Sequence, residues 1–191
     1  MEKINALGIE CPMPVIMAKR LVKDGLNEFS VLVDNVVATE NLEKMAKQTG
    51  YNVKIEEISE KEFEVFFTKG DDKTESKVNK DSYIVIFDSN KVGEGDEEFG
   101  RKLMESFLVA LTEQDNYPDY VVCFNKGVEL TTVVDNAVED LKKLSDSGVE
   151  ILSCGLCLDY YNLKEKLQVG SITNMYRICE LMTTYRVVKP W

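Results

Sequence analysis

The chain has 191 residues, of which 34 are acidic and 23 basic, so its net charge is −11. Such an acidic surface argues against nucleic acid or an anionic membrane as the main partner. The sequence has five cysteines and no histidine, which excludes histidine-activated nucleophiles and histidine metal sites.

No apolar stretch approaches the ~20 residues that a membrane-spanning helix needs. The start, Met1-Glu2-Lys3-Ile4-Asn5, lacks the basic region and apolar run of a signal peptide. Cysteines without an export signal are typical of reduced thiols inside the cell, so we expect a cytoplasmic protein. An odd number of cysteines leaves at least one outside any internal pairing.

The first part of the chain predicts four strands and two helices. In order they are a strand at 3–7, a helix at 12–23, a strand at 29–33, a helix at 37–48, and strands at 52–58 and 62–68. Two helices on one face of a small mixed sheet bury the apolar residues of this βαβαββ pattern. We therefore expect a two-layer α/β sandwich over residues 1–70.

Residues 71–81 are almost entirely polar and charged. This composition is typical of a linker, and it divides the chain into domains at 1–70 and 82–191.

The second part alternates apolar strands with amphipathic helices. The predicted strands are 83–87, 120–124, 149–153 and 185–188, and the predicted helices are 97–112, 132–144 and 172–182. This alternation indicates a three-layer α/β/α domain with a mainly parallel sheet. The predicted core stripe of the first helix is Phe99, Leu103, Phe107, Leu108 and Leu111.

The segment Cys11-Pro12-Met13-Pro14 places a thiol next to the start of a helix. Pro12 suits the first helical position, and the unpaired N–H groups of a helix start stabilise a thiolate. Glu10 opposes this effect through its like charge. The pattern predicts a reactive Cys11, although a buried structural cysteine is the simpler alternative.

The stretch Leu7-Gly8-Ile9-Glu10-Cys11-Pro12-Met13-Pro14, with the element order around it, resembles the TusA/SirA family of sulfur carriers. In that family the cysteine of Cys-Pro-x-Pro carries a persulfide sulfur and passes it to a partner. The resemblance covers residues 1 to about 70 and implies that Cys11 is the carrier.

A second pair of thiols, Cys154 and Cys157, follows a predicted strand. Parallel sheets bind ligands at this edge. A Cys-x-x-Cys pair can form a disulfide, pass sulfur between thiols or supply half of a zinc site. The chain has no second such pair, so zinc is the weakest of the three interpretations; packing in the core is the structural alternative. Cys123 and Cys179 fit packing positions within a strand and a helix.

Three features resemble the DsrE-like domain: Gly93-x-Gly95-Asp96, the helix after it, and the run Cys154-Gly155-x-Cys157-Leu158-Asp159-Tyr160-Tyr161, which ends near Val169-Gly170. Tyr160, Tyr161 and Asn162, which follow the cysteine pair, are candidates to line a small pocket. Members of that family carry sulfur on a cysteine just past a strand. Cys154 matches that place and Cys157 is additional, so which thiol reacts stays open. A TusA-like domain followed by a DsrE-like domain is the order of the YedF proteins, which are linked to selenium metabolism.

The glycine loop before the first helix of the second part lacks a dinucleotide-binding or phosphate-loop pattern. Asp96, Glu97 and Glu98 crowd the helix start and would repel a phosphate, so they predict a capped helix.

Three functions fit the sequence. The first is a sulfur or selenium carrier that uses Cys11 and the Cys154/Cys157 pair, without cofactor or metal. Its partners would be donor and acceptor proteins such as a cysteine desulfurase or a selenophosphate synthesis enzyme, and the DsrE-like resemblance implies a homo-oligomer. The second is a regulatory or ligand-binding module without enzymatic activity. The third is a thiol oxidoreductase acting through Cys154 and Cys157.

Overall fold

The structure is a computed structural model that describes residues 1–9, 13–70 and 82–190. The described residues form two compact units, an N-terminal unit within 1–70 and a C-terminal unit within 82–190. Residues 10–12, which include the predicted carrier Cys11, lie outside the described residues. The predicted linker at 71–81 also lies outside them.

The N-terminal unit is a four-stranded mixed sheet with two helices. Its elements are β1 (Glu2–Asn5), α1 (Met13–Lys23), β2 (Glu28–Val33), α2 (Val36–Thr49), β3 (Tyr51–Ser59) and β4 (Glu62–Lys69). The strand order is β1-β2-β4-β3, with β1 parallel to β2 and the other pairs antiparallel. The expected two-layer βαβαββ sandwich is confirmed.

Local sequence signals determine where α2 begins and ends. The Asn35 side chain accepts a hydrogen bond from the Ala38 N–H at 2.8 Å, which caps the first turn. Gly50 ends the helix in a left-handed conformation with φ of 75°, which a residue with a Cβ rarely adopts. The apolar face of α2, which carries Leu42, Met45 and Ala46, is buried.

The core of the N-terminal unit lies on one face of the sheet, where Phe29 stacks on Phe67 with ring centroids 4.5 Å apart. A polar cluster lies on the neighbouring strand positions. Ser30 and Lys3 each donate a hydrogen bond to the Glu64 carboxylate, both at 2.7 Å. These bonds lower the pKa of Glu64, Lys3 contributing most and Ser30 next. Because the Glu64 side chain is only 12% exposed, its charge needs these partners.

The C-terminal unit has five strands and four α-helices among the residues described. They are β5 (Tyr83–Phe87), α3 (Glu97–Thr112), β6 (Tyr120–Cys123), α4 (Asp135–Asp146), β7 (Glu150–Cys154), α5 (Gly155–Tyr160), β8 (Ser171–Thr173), α6 (Met175–Thr184) and β9 (Arg186–Val188). Two 3-10 helices, Asn125–Thr131 and Lys164–Lys166, complete the unit.

All pairs of neighbouring strands in this sheet are parallel, and the order is β8-β7-β6-β5-β9. Helices α3 and α4 contribute to one core cluster, which includes Leu108 and Leu141. Helix α6 contributes Ile178 and Leu181 to a different cluster. The expected α/β architecture with a parallel sheet is therefore confirmed.

The structure corrects the prediction between residues 155 and 182. The six-residue helix α5 has no counterpart among the predicted elements, and the three-residue strand β8 stands at the start of the predicted helix 172–182. Asn174 accepts a hydrogen bond from the Arg177 N–H at 3.0 Å and starts α6 only after that strand. Both elements are too short for a hydrophobic period to reveal them.

The predicted core stripe of α3 is only partly correct. Leu108 and Leu111 are buried, but Phe99 is 60% exposed and Leu103 is 38% exposed. The buried face instead carries Gly100 and Met104. A Cβ on Gly100 would lie 3.0 Å from the Val92 carbonyl oxygen, so a close approach to the preceding loop rotates the helix toward this face.

Helix α3 begins as its acidic residues predict. The Asp96 side chain accepts a hydrogen bond from the Phe99 N–H at 2.8 Å, and Glu97 and Glu98 each pair with a basic residue one turn later. The capping interpretation of this loop is confirmed. Of the helices that the structure describes, none has both the length and the apolar character to cross a membrane.

The Glu64 cluster gives a prediction about stability. We expect Glu64→Gln to destabilise the N-terminal unit by about 1 kcal/mol, because two hydrogen bonds lose their charged acceptor. Folding lowers the pKa of Glu64, so its stabilisation is present above the unfolded-state pKa and is lost as pH falls through the folded-state pKa. Denaturant unfolding of the variant and the original chain across acidic pH measures this difference.

The matched control is Glu56→Gln on β3, opposite Glu64 in the sheet. Glu56 pairs with Lys54, and both side chains are largely exposed, so this change should alter stability by less than about 0.5 kcal/mol. Equal losses in the two variants would contradict the role given to Glu64.

Candidate functional site

The candidate site of the C-terminal unit lies at the carboxyl edge of its sheet. Strand β6 ends at Cys123, β7 at Cys154 and β8 at Thr173, and parallel registers pair Cys123 with Ser153 and Cys154 with Thr173. The loops that follow these strands therefore leave from the same edge. This arrangement places the residues after β6 beside those after β7.

Cys154 is completely buried, with no exposed surface. It packs among apolar side chains of β5, β6 and α6, including Ile86, Val122 and Ile178. Burial raises the pKa of the Cys154 thiol to about 11, the N–H groups of Cys157 and Leu156 oppose this rise, and the Cys157 thiol adds to it. A thiol with that pKa is ionised in only about one molecule in ten thousand at neutral pH.

Cys157 lies one turn further along, in α5, and is partly exposed. Its sulfur accepts a hydrogen bond from the Asn125 backbone N–H at 3.0 Å. The two residues of the Cys-x-x-Cys pair are neighbours, since Cys157 packs against the apolar cluster that contains Cys154. The structure thus brings Cys154 and Cys157 together in different surroundings, one enclosed and one accessible.

Asn125 is held in an unusual backbone conformation. Its φ is +49°, in the left-handed region, which asparagine tolerates better than most residues. Its side-chain oxygen accepts a hydrogen bond from the Tyr161 hydroxyl at 2.8 Å. Tyr161 is four residues after Cys157 and ends α5, so one short helix supplies both the sulfur and the group that bonds the asparagine.

The loop after β6 is also held by contacts with β5 and β7. A Cβ on Gly127 would lie 1.9 Å from the Phe87 carbonyl oxygen, so only glycine permits the loop to approach β5 this closely. Thr131 and Ser153 join their hydroxyls at 2.8 Å and connect the loop to β7. The Asn125 N–H therefore projects from a segment with several attachments to the sheet.

The other two described cysteines have different positions. Cys123 is fully buried, and burial raises the pKa of its thiol to about 12; its predicted packing role is confirmed. Cys179 is exposed on α6, so the expectation that it packs in the core is wrong.

Neither of two cavities in the C-terminal unit is lined by Cys154 or Cys157. One, of about 350 Å³, lies at the amino ends of β5 and β9 and includes Tyr83 and Arg186. The other, of about 270 Å³, lies between α3 and α4 and includes Asn90 and Glu129. Across residues 1–9, 13–70 and 82–190, no group of three cysteine or carboxylate side chains is arranged to hold a metal ion.

In the N-terminal unit, the turn before α2 is hydrogen-bonded to Gly8, which precedes the cysteine motif in the sequence. The Gly8 N–H donates a hydrogen bond to the Asp34 carboxylate at 2.8 Å, and the Asn35 side chain donates another at 2.7 Å. Gly8 has a φ of +70°, although no atom would obstruct a Cβ there. The turn before α2 therefore holds the loop that leads toward the cysteine motif.

Comparisons with known proteins identify the N-terminal unit. Residues 2–69 match the family model "Sulfurtransferase TusA". The chain is 33% identical over 72 residues to a Methanocaldococcus jannaschii protein provisionally named a sulfur carrier, a match that covers 95% of that protein and 36% of this chain. Through these residues the chain belongs to the TusA family. The family and this relative support a sulfur-carrier role.

Two solved structures are among those similar to this chain. The SirA-like protein of Desulfitobacterium hafniense is 39% identical, covering 37% of this chain and all of that one, with a TM-score of 0.35. The YchN protein of Escherichia coli is 16% identical, covering 56% of this chain and 97% of that one, with a TM-score of 0.42.

Sequence reasoning did not find Asn125 or Asp34 as parts of these sites, and it placed Tyr161 beside the cysteine pair without a partner. Asn125 carries no motif, and its contact with Tyr161 depends on two segments 36 residues apart meeting at the sheet edge. A signal was present at Asp34-Asn35, which predicts a turn and a cap, but the capping pattern does not reveal the bond from Gly8.

The Gly8–Asp34 hydrogen bond gives a second prediction. The Gly8 N–H lowers the pKa of Asp34 most, and the Asn35 side chain adds to this effect. We therefore expect the Gly8 amide proton to shift with pH, with a midpoint below the usual aspartate value. The bond and its stabilisation are present above the unfolded-state pKa and are lost as pH falls through the folded-state pKa.

An NMR titration of the amide resonances tests this prediction. Asp34→Asn should abolish the acidic transition at Gly8 and speed exchange of that amide, while leaving the Ala38 amide bonded to Asn35. A Gly8 transition that persists in the variant would assign it to another carboxylate.

Proposed function

We propose that this chain carries sulfane sulfur on Cys11 and passes it onward as a cysteine persulfide. The observation that carries the proposal is the match of residues 2–69 to the TusA family, because this segment contains Cys11-Pro12-Met13-Pro14. The absence of histidine is consistent with this chemistry, since thiolate attack on a sulfane atom needs a stabilised thiolate and no separate base.

The transfer has a simple balance. The Cys11 thiolate attacks the terminal sulfur of a donor persulfide, a new sulfur–sulfur bond forms on Cys11, and the donor's sulfur–sulfur bond breaks. The donor leaves as a thiolate with the electron pair and takes up a proton. No net oxidation or reduction occurs, so the step requires no cofactor.

The finer parts of this proposal concern cargo, partners and domains. We propose domains at 1–70 and 82–191 joined by a linker at 71–81, with the second domain DsrE-like and the whole chain similar to the YedF proteins. On that basis selenium is a cargo alongside sulfur, a cysteine desulfurase is a donor, and a selenophosphate synthesis enzyme is an acceptor. We place the protein in the cytoplasm, where its thiols stay reduced.

Cys154 and Cys157 form the second sulfur-carrying site in this proposal. Their place at the carboxyl edge of the parallel sheet supports it, and so does the partial exposure of Cys157. Sulfur received at Cys11 would pass to this pair or to a partner thiol.

Loading of Cys11 is the direct test. The purified full-length chain is incubated with a small-molecule persulfide, the excess donor is removed, and cysteine peptides are mapped by mass spectrometry. We expect the mass of one added sulfur on the Cys11 peptide and its loss in Cys11→Ser. The control variant Cys179→Ser, which removes a thiol of the C-terminal unit, should still load Cys11, and an unloaded Cys11 in the original chain would refute the carrier role.

The packing of Cys157 against the cluster that contains Cys154 favours a second candidate, a thiol oxidoreductase. That activity requires a reversible Cys154–Cys157 disulfide with a potential near those of cellular dithiol reductants. Equilibration with glutathione redox buffers measures the potential, and failure to form the disulfide under mild oxidation would remove this candidate.

A further inference from the structure

We propose that Cys157, and not Cys154, is the thiol of the C-terminal unit that accepts the sulfane atom, with the Asn125 N–H stabilising its sulfur and Tyr161 holding Asn125. This inference rests on the proposed carrier function. It assigns the reacting thiol within a pair whose chemistry the sequence leaves open.

Access is the first argument. A thiolate attacks a sulfane atom only when the donor can approach its sulfur, and Cys154 exposes no surface. Cys157 is partly exposed at the surface end of the same pair. It packs against both the cluster around Cys154 and the cluster formed by Val128, Leu158 and Leu163, so its sulfur has a defined position.

Hydrogen bonding is the second argument. The Asn125 backbone N–H donates a hydrogen bond to the Cys157 sulfur at 3.0 Å, so the sulfur that would attack the sulfane atom has a fixed hydrogen-bond donor beside it. Two contacts fix the position of Asn125. The Tyr161 hydroxyl donates a hydrogen bond to the Asn125 side-chain oxygen at 2.8 Å, and Gly127 lets the same loop approach Phe87 closely. Cys154 stays protonated in its apolar surroundings, where burial raises its pKa.

The step conserves atoms and electrons. The Cys157 thiolate bonds to the terminal sulfur of a donor persulfide while the donor's sulfur–sulfur bond breaks. The donor leaves as a thiolate that takes a proton from water, and Cys157 holds the sulfane atom as a persulfide. Cys154 keeps its proton throughout.

Loading in a Cys11→Ser background tests the assignment, because the remaining thiols then compete for the same small-molecule persulfide. We expect Cys157 to gain one sulfur, Cys157→Ser to abolish loading of the pair, and Cys154→Ser to retain it within about twofold. Sulfur on Cys154 in the Cys157→Ser chain would overturn the proposal, as would equal loss of loading in both variants.

Cys179 serves as an internal control for exposure. It is more exposed than Cys157, so it should load faster if access alone decided the outcome. We expect it to load more slowly than Cys157, and equal or faster loading of Cys179 would overturn the role of the Asn125 N–H.

Tyr161→Phe tests the positioning part of the proposal. Losing one hydrogen bond worth about 1 kcal/mol should lower the maximal loading rate of Cys157 about fivefold. The donor concentration that gives half the maximal rate should not change, because Tyr161 acts on the sulfur through Asn125 and not on the donor. Unchanged loading at Cys157 would overturn this role.

The result for Cys11 separates the two proposals. If Cys11 loads in the original chain but Cys157 does not load in the Cys11→Ser chain, the carrier function stands and this inference fails. If Cys11 does not load, the carrier function fails, and loading at Cys157 would then support the second thiol site alone.

Discussion

The common direction of the strands in the C-terminal unit is the constraint on which its candidate site depends. Parallel registers bring the ends of β6, β7 and β8 to one edge, so the segment after β6 lies beside the helix after β7. The contact between Asn125 and Cys157 follows from this arrangement. In a hairpin arrangement the ends of β6 and β7 would lie at opposite edges of the sheet, and no such contact would form.

Burial then gives the two cysteines different chemistry. They are three residues apart, but Cys154 ends a central strand and Cys157 lies one helical turn beyond it. The first belongs to the core under α6 and is held as a neutral thiol, whereas the second reaches the surface and has a backbone donor. A short helix after a buried strand is sufficient to separate an inert thiol from an accessible one.

Much of the architecture follows from the sequence because its signals are long. Buried apolar strands such as Tyr83–Phe87 and long amphipathic helices such as Glu97–Thr112 have periods that repeat enough to be recognised. Short elements have too few residues to show such a period: β8 has three residues and α5 has six. The face of α3 was also ambiguous, because Phe99 and Gly100 begin overlapping stripes and only tertiary contact with Val92 selects the second. The candidate thiols and the neighbouring Tyr161 were visible in the sequence, but Asn125 and its contact with Tyr161 depend on segments that are distant in sequence.

A backbone N–H is a suitable partner for a thiol that must both take and release an atom. When a thiol's pKa lies above the ambient pH, lowering it by one unit raises the thiolate fraction about tenfold, while intrinsic nucleophilicity falls only about threefold. Stabilisation therefore increases reactivity until the pKa reaches the ambient pH, after which further stabilisation only weakens the nucleophile. A neutral donor supplies a modest effect, whereas a lysine or arginine in contact would supply a charge-assisted bond roughly twice as strong. No histidine is available in the chain, and the Asn125 N–H is a neutral donor of this kind at the Cys157 sulfur.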